Sequence, residues 1–314
     1  MRTDSHGLKH SRPPTAFVPL RSVLICGANY MRLKEIAATD FDLARTLDSG
    51  QVFHWEKCGA GHAGTIGADG VYVEQRRKRL LFTGTSVEVI RNYFALDHPL
   101  AEICRSFPND PAMCAARDFC AGLRIIRQPR WECLATFITS SMKQVAHIRQ
   151  ISQTLRKRYG KRQRVLDFEL HSFPPANRVA KLTEQDLRAC ALGYRAKNLL
   201  ATARLVISGD PNLEQWSELS DESLRAHLCE LPGVGAKVAN CVMLFAYERL
   251  RAFPIDVWIE RVLKQKYFPR KRIISTTQLR AFCETYFGEH GGYAQQYLFH
   301  HARKGGAAPR VAAK

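Results

Sequence analysis

The chain has 314 residues, long enough for two packed domains, and its 46% hydrophobic and 24% charged residues have the profile of a globular protein. No stretch approaches the roughly 20 unbroken apolar residues that a membrane helix needs; Phe17 to Ile25 is apolar but short, and Arg21 interrupts it. Lys and Arg number 47 against 29 Asp and Glu, a net charge of +18, which implies a polyanionic partner, nucleic acid ahead of an anionic membrane surface.

Residues 1–30 read as a poorly structured lead-in, with Pro13, Pro14 and Asp4 as the only acid. A tail, an organellar presequence and an artefact of start-site choice all fit that composition. From about 40 to 85 the pattern is β: Val71-Tyr-Val73 alternates, Leu80-Leu-Phe82 is a short apolar run, and Gly59, Gly61, Gly64, Gly67, Gly70 and Gly84 break the stretch. Arg76 to Arg79 read as a solvated hairpin face.

After residue 86 the texture is helical. Val87, Ile90, Tyr93 and Phe94 recur at helical spacing, as do Leu134, Phe137 and Ile138. Residues 155–164 read as a basic helix end and turn. Thr183-Glu-Gln-Asp186 has the capping-box form and is expected to open a helix carrying Leu187, Ala191 and Leu192. There is no repeat at solenoid periods. The fold class that emerges is α+β, with a lead-in at 1–30, a β-rich N-terminal region with following helices at 31–130, a helical body at 131–303 and a tail at 304–314.

The ten cysteines form no CxxC pair and no late cluster with iron–sulfur or zinc spacing, so they read as buried thiols in a reducing compartment, without such a cluster.

The segment 223–245 carries the chemistry. Leu224 and Leu228 define a helix ending near Glu230, Leu231-Pro-Gly-Val-Gly235 is a tight turn, and Ala236 starts a second helix. This is a helix–hairpin–helix. Gly233 and Gly235 let backbone approach a phosphate, and the second helix offers free N–H groups and its positive dipole end to that anion. Such a hairpin supplies affinity and register without reading bases. An ordinary helix–turn–helix corner is the plainer alternative.

Lys237 follows in the first turn of the second helix. It is either a phosphate contact or a nucleophile whose pKa is lowered by desolvation and nearby cationic character. Phe253-Pro-Ile-Asp256-Val-Trp258 places an acid 19 residues later inside an apolar stretch. A buried Asp pairs, caps a helix or does chemistry, and for Asp256 capping and chemistry are compatible.

This combination resembles the helix–hairpin–helix (HhH-GPD) glycosylase superfamily and, within it, 8-oxoguanine DNA glycosylases of the long, two-part type. The narrower resemblance rests on Asp40-Phe-Asp-Leu-Ala-Arg-Thr-Leu-Asp-Ser-Gly-Gln-Val-Phe-His-Trp55, Glu132-Cys-Leu-Ala-Thr-Phe-Ile-Thr-Ser-Ser141, Leu192-Gly-Tyr-Arg-Ala196 and Tyr293-Ala-Gln-Gln-Tyr-Leu-Phe299, spanning roughly residues 40 to 300. It implies a mainly α-helical glycosylase body with an N-terminal antiparallel β domain.

The resemblance further implies that the Gly50 carbonyl accepts the N7 hydrogen of a flipped oxidised guanine. The base would lie between Cys241 and Phe299, with Gln295 reading its Watson–Crick edge and Phe245 on the same pocket. Unaided, Cys241 and Phe299 would read as core and Gly50 as a turn glycine. Tyr194 and Arg195, read otherwise as loop residues, match those that wedge at the vacated site and contact the orphaned cytosine. Two departures weaken opposite-base reading: an Asn and an Arg of the family pattern become Met142 and His147, leaving Arg195 to carry most of any cytosine contact. A third puts Trp258 where the family has His. The family hairpin can hold a monovalent cation, K+ or Na+, on backbone carbonyls, here those of Cys229, Leu231 and Val234; no other cofactor is implied.

The expected activity is that of a bifunctional DNA glycosylase and AP lyase in base excision repair, with Lys237 as Schiff-base nucleophile and Asp256 stabilising positive charge on the sugar. The expected partner is double-stranded DNA containing oxidised guanine, bound by a monomer, away from membranes. The expected setting is intracellular and DNA-associated: nucleoid or cytoplasm in a bacterium, nucleus or mitochondrion in a eukaryote. Two alternatives stand beside this: a glycosylase for another damaged base, and a non-catalytic DNA-binding protein, which has no need of both Lys237 and Asp256.

Overall fold

The computed structural model describes residues 22–23, 31–141, 143–209, 211–271 and 273–305. Apart from 22–23, the lead-in therefore lies outside the described residues.

Five antiparallel strands form the N-terminal sheet, in the spatial order Lys34–Ala37, Arg79–Thr83, Asp69–Arg76, Gly61–Ile66 and Glu56–Cys58. Strand alternation sends Val71, Val73, Leu80 and Phe82 to one face, where they pack with Ile90, Tyr93 and Phe94 of the following helix and turn. Tyr72 and Leu81 point to the other face and meet Val165. The stretch read as β is interrupted by a helix, Leu43–Asp48, which Asp42 opens by accepting the Arg45 N–H at 2.8 Å. Six residues are too few for a legible helical period.

The basic stretch at 155–164 also differs from its reading. Helix Val145–Tyr159 stops at Gly160, and Arg162–Val165 is a strand paired with Phe168–His171. A Cβ on Gly160 would lie 1.9 Å from the Ser172 carbonyl oxygen, so this stop is set by a tertiary approach. The new hairpin covers the sheet's second face, with Phe168 stacked on Tyr72 at 6.2 Å. At Thr183 the capping box forms as read, but the helix is only Glu184–Arg188; Ala191 has φ +63° and Leu192 lies in the turn beyond.

Helix Arg130–Ser140 runs through the centre of the helical body, buried from 132 to 140, with Ala236–Ala246 and Arg195–Ser208 packed on it. The apolar core around it takes in residues between 100 and 298. The C-terminal helix, Gly291–Lys304, reaches back to the N-terminal half: Tyr297 Oη donates to the Leu123 carbonyl at 2.9 Å and Gln296 Nε2 to the Ser49 carbonyl at 2.9 Å. Cys120, Cys133, Cys190, Cys241 and Cys283 are buried, whereas Cys58, Cys104 and Cys114 are half-buried and Cys229 is exposed, so the reading of uniformly buried thiols does not hold; Cys26 lies outside the described residues. Among the described residues, no helix is long and apolar enough to cross a membrane.

Sheet and helical body are joined by a buried polar cluster. Arg156 donates to Glu132, to Thr65 Oγ1 at 2.7 Å and to the His171 carbonyl at 3.3 Å. His54 bonds the Thr65 carbonyl through Nε2 at 2.8 Å, and burial together with the Arg156 charge holds its imidazole well below the usual histidine range. Removing Arg156 leaves Glu132 buried without its counter-charge. Arg156→Leu is therefore expected to destabilise the protein by about 3–5 kcal/mol. A urea-midpoint shift corresponding to less than about 1 kcal/mol, the scale of an exposed pair, would show that the cluster contributes little.

Candidate active site

The hairpin is built as its residues suggest. Ser220 Oγ accepts the Ser223 N–H at 3.2 Å and opens helix Asp221–Glu230; the chain turns, and helix Ala236–Ala246 follows. Gly233 has φ +82°, and a Cβ there would meet Asn198 Cβ at 2.8 Å, so both conformation and packing require glycine. Gly235 is the N-cap of the second helix, makes no side-chain cap, and has open space where a Cβ would sit. The first amides of that helix thus lack protein side-chain caps, which suits an anion.

Lys237, the second residue of this helix, is half-buried, with Nζ 5.3 Å from the centroid of the Phe137 ring. That ring stacks on Phe245 at 5.5 Å, nearly parallel at 10°. Asp256 caps helix Val257–Val262 by accepting the Ile259 N–H at 2.9 Å. Its carboxyl is raised above the ordinary aspartate range by burial, a shift that the Ile259 amide and the Lys237 charge oppose. Burial likewise pushes the Cys241 thiol up to about 11, again opposed by the Lys237 charge. Lys237, Cys241 and Asp256 are therefore electrostatic neighbours, and Asp256 caps a helix while feeling the lysine's charge.

A second group assembles around Gly50, at φ +87°. The carbonyls on either side are taken: Asp48 accepts from Arg303, Ser49 from Gln296, and Gln51 from Gln128 Nε2 at 2.8 Å. The Gln51 side chain is itself fully buried and bonds the Thr46 and Arg124 carbonyls and the Ile126 N–H. Among the described residues no hydrogen bond reaches the Gly50 carbonyl. A Cβ on Gly50 would lie 3.0 Å from Phe299 Cε1, so the turn and the C-terminal helix meet here. One turn before Phe299, Gln295 is 4% exposed and its Oε1 has no hydrogen-bond partner, a buried acceptor facing a missing donor. Gln128 also ties the two groups: its backbone N–H donates to the Phe245 carbonyl at 2.7 Å, on the helix of Lys237.

The other sequence-predicted residues are more scattered. Tyr194 is 56% exposed. Arg195 is not a loop residue: it begins helix Arg195–Ser208, is buried, and turns its guanidinium inward to the Ser141 and Leu192 carbonyls while lying 4.3 Å from the Tyr194 ring centroid. The end of helix Arg130–Ser140 leaves carbonyls without helical partners, and Arg195 satisfies one just past it. His147 is exposed in the first turn of helix Val145–Tyr159, and Met142 lies outside the described residues. Trp258 is half-buried beneath Arg261, whose guanidinium sits 6.0 Å from its ring centroid. Phe245 sits in the core behind Phe137. Of the three hairpin carbonyls, that of Leu231 accepts the Val234 N–H at 3.0 Å and keeps a second lone pair. Cys229 lies in the last turn of its helix, where carbonyls lack helical partners. Sequence reasoning passed over Phe137, Gln128, Gln296 and Arg303, whose roles depend on what they touch; only Gln51 had a signal, standing next to Gly50.

Comparison with known proteins shows which family the chain resembles. Residues 34–134 match the family described as 8-oxoguanine DNA glycosylase, N-terminal domain, and residues 135–288 match the HhH-GPD superfamily of base excision DNA repair proteins. The chain is 28% identical over 286 residues to the N-glycosylase/DNA lyase OGG1 of Arabidopsis thaliana, covering 84% of this chain and 78% of that one. A solved structure of MBOgg1 in complex with a low-affinity DNA ligand superposes with a TM-score of 0.83 at 30% identity, covering 87% of this chain and 96% of that one. The Clostridium acetobutylicum 8-oxoguanine glycosylase/lyase, solved with double-stranded DNA containing cytosine opposite 8-oxoguanine, gives a TM-score of 0.81 at 29% identity, with coverages of 87% and 98%.

The two roles of Asp256 separate by substitution. Its folded pKa is raised, so its contribution to stability is present below the unfolded value near 3.9 and is lost as pH rises through the folded value. Asn caps as well as Asp and carries no charge to desolvate. Asp256→Asn is thus expected to melt no lower than wild type at pH 7, and a carboxyl-resolved NMR titration of wild type should place Asp256 above about 3.9. A lower melting temperature for the Asn variant would assign the carboxylate a structural role instead.

Proposed function

The chain belongs to the 8-oxoguanine DNA glycosylase family of the helix–hairpin–helix superfamily, and we infer that it is a bifunctional N-glycosylase and AP lyase that excises 8-oxoguanine from duplex DNA in base excision repair. The observation that carries the residue assignment is the electrostatic grouping of Lys237 and Asp256 beside an uncapped helix start. A net charge of +18 supports binding to the phosphate backbone.

Chemistry at C1′ cannot proceed inside the base stack, so the nucleotide is first turned out. Neutral Lys237 attacks C1′; the Nζ–C1′ bond forms as the C1′–N9 bond breaks, and the base leaves with a proton. Asp256, held in place by the Ile259 N–H, stabilises the positive charge developing on the sugar. Opening of the C1′–O4′ bond, with O4′ taking the remaining Nζ proton, gives an imine that acidifies C2′; loss of a C2′ proton then expels the 3′ phosphate by β-elimination, nicking the strand. Gly50, Cys241, Gln295 and Phe299 form the base pocket on this reading: the unused Gly50 carbonyl suits the N7 hydrogen, and the unpartnered Gln295 Oε1 suits a donor on the Watson–Crick edge. Phe245 supports that pocket from behind Phe137. Gly233, Gly235 and Trp258 flank the lesion strand. A monovalent cation would be held by the Cys229, Leu231 and Val234 carbonyls, where it would add positive charge behind the phosphate.

Two outcomes test this. Lys237→Gln is expected to abolish base release and borohydride trapping on 8-oxoguanine duplexes while duplex binding, carried by the hairpin amides, stays largely intact. Retained trapping would move the nucleophile elsewhere.

Opposite-base preference is expected to be shallow. His147 lacks the bidentate fork of Arg, a thioether at Met142 reads no hydrogen-bond pattern, and Arg195 commits Nε, Nη1 and Nη2 each to a Ser141 or Leu192 carbonyl, turning its fork inward. Losing one good bidentate contact relaxes selectivity by about ten- to a hundredfold. Excision opposite all four bases is the expected result, sharpened toward cytosine by Met142→Asn with His147→Arg. Strict rejection of 8-oxoguanine opposite adenine by the wild type would sink this reading.

A further inference from the structure

We propose that Arg303 is the positioning residue that sets how strongly this enzyme prefers oxidised guanine over guanine, by holding the Gly50 carbonyl and the Phe299 ring in register. The proposal rests on the base-excision reading above. Arg303 lies one turn beyond Phe299 on helix Gly291–Lys304, on the same face. Its guanidinium carbon sits 5.5 Å from the Phe299 ring centroid, and Nη2 donates to the Asp48 carbonyl. A Cβ on Gly50 would meet Phe299 Cε1 at 3.0 Å and Arg303 Nη1 at 3.4 Å. Guanidinium, ring and turn thus form one packed unit.

Gly50 has no side chain to lock its own peptide and stands at φ +87°, where the backbone is soft. Its carbonyl is held only through its neighbours. Gln296 grips Ser49 and Gln128 grips Gln51, but the entry to the turn at Asp48 is held by Arg303. The Nε of Arg303 is buried without a partner, so the side chain is located by the turn and the ring and not by a complete hydrogen-bond set. A space-filling aliphatic residue would leave no such orphan.

The chemistry explains why position matters. Oxidised guanine carries a hydrogen on N7, whereas guanine has a lone pair there. A carbonyl at a fixed place bonds the first and repels the second. Selectivity is the difference of the two energies, and the repulsive half survives only if the carbonyl cannot retreat.

The test compares full-length wild type, Arg303→Leu and Arg303→Lys in single-turnover assays. The substrates are matched duplexes with 8-oxoguanine, guanine or a ready-made abasic site opposite cytosine. Misplacement of a binding group by an ångström costs up to about a hundredfold, so Arg303→Leu is expected to lower the 8-oxoguanine-to-guanine ratio at least tenfold by the same reasoning. Cleavage and borohydride trapping at the abasic site, which need no base in the pocket, are expected to stay within about twofold of wild type, the difference that loss of one positive charge makes to phosphate binding. Arg303→Lys keeps a cation near the ring but lacks the fork that also grips Asp48, and should fall between the two. An unchanged ratio in Arg303→Leu overturns the proposal. So does equal loss on the abasic duplex, which would assign Arg303 to general folding. A wild type that traps abasic DNA yet leaves 8-oxoguanine untouched would instead fail the base-excision reading.

Discussion

On the base-excision reading, the rest of the site depends on one constraint: the Gly50 turn and Lys237 must keep a fixed separation, because the base held at one end would be bonded to the carbon attacked at the other. Gln128 enforces it directly, with its backbone N–H on the Phe245 carbonyl and its side chain on the Gln51 carbonyl. The C-terminal helix enforces it again through Gln296 and Arg303. The Gln128 and Gln296 ties are buried, where hydrogen bonds lose least to water, and that of Arg303 is part-buried. On the same reading, a nucleophile and a recognition turn from segments some 190 residues apart can then act on one nucleotide.

Asp256 shows how a fold stabilises a group that burial disfavours. Desolvation works against its ionised form, and the Ile259 amide and the Lys237 charge work for it. The cap fixes the carboxylate in one place, which on the proposed mechanism lets its field act without reorganisation during reaction. The uncapped start of the preceding helix is the complementary device: with no side chain on Gly235 to occupy them, its amides remain available to a phosphate.

Positive charge on this protein divides between two tasks. The excess of 47 Lys and Arg over 29 Asp and Glu favours long-range attraction to DNA, which needs no fixed geometry. A few Arg residues are internal fasteners. Arg156 neutralises Glu132 between sheet and helical body, Arg195 bonds the carbonyl just past a central helix, and Arg303 grips the Gly50 turn. Charge counting cannot tell these apart, since the distinction is one of burial and partner.

What the sequence determined by itself was whatever is encoded over a few residues. The hairpin at 231–235, the helices around it, the Thr183 capping box and the strands at 69–76 and 79–83 follow from glycine freedom, capping chemistry and apolar period, all local. Lys237 and Asp256 were legible as candidates because a lysine beside a hairpin and an acid in an apolar stretch are each locally anomalous. Tertiary structure decided the rest. The strand at 162–165 exists because the Ser172 backbone crowds Gly160 and the sheet needs its second face covered; the helix at 43–48 is too short to show a period. That Gly50 meets Phe299, that Arg195 points inward, and that Gln128 and Arg303 brace the turn are contacts between residues dozens to hundreds of positions apart. No local pattern carries them, because a side chain's role here is set by the neighbour that packing brings to it.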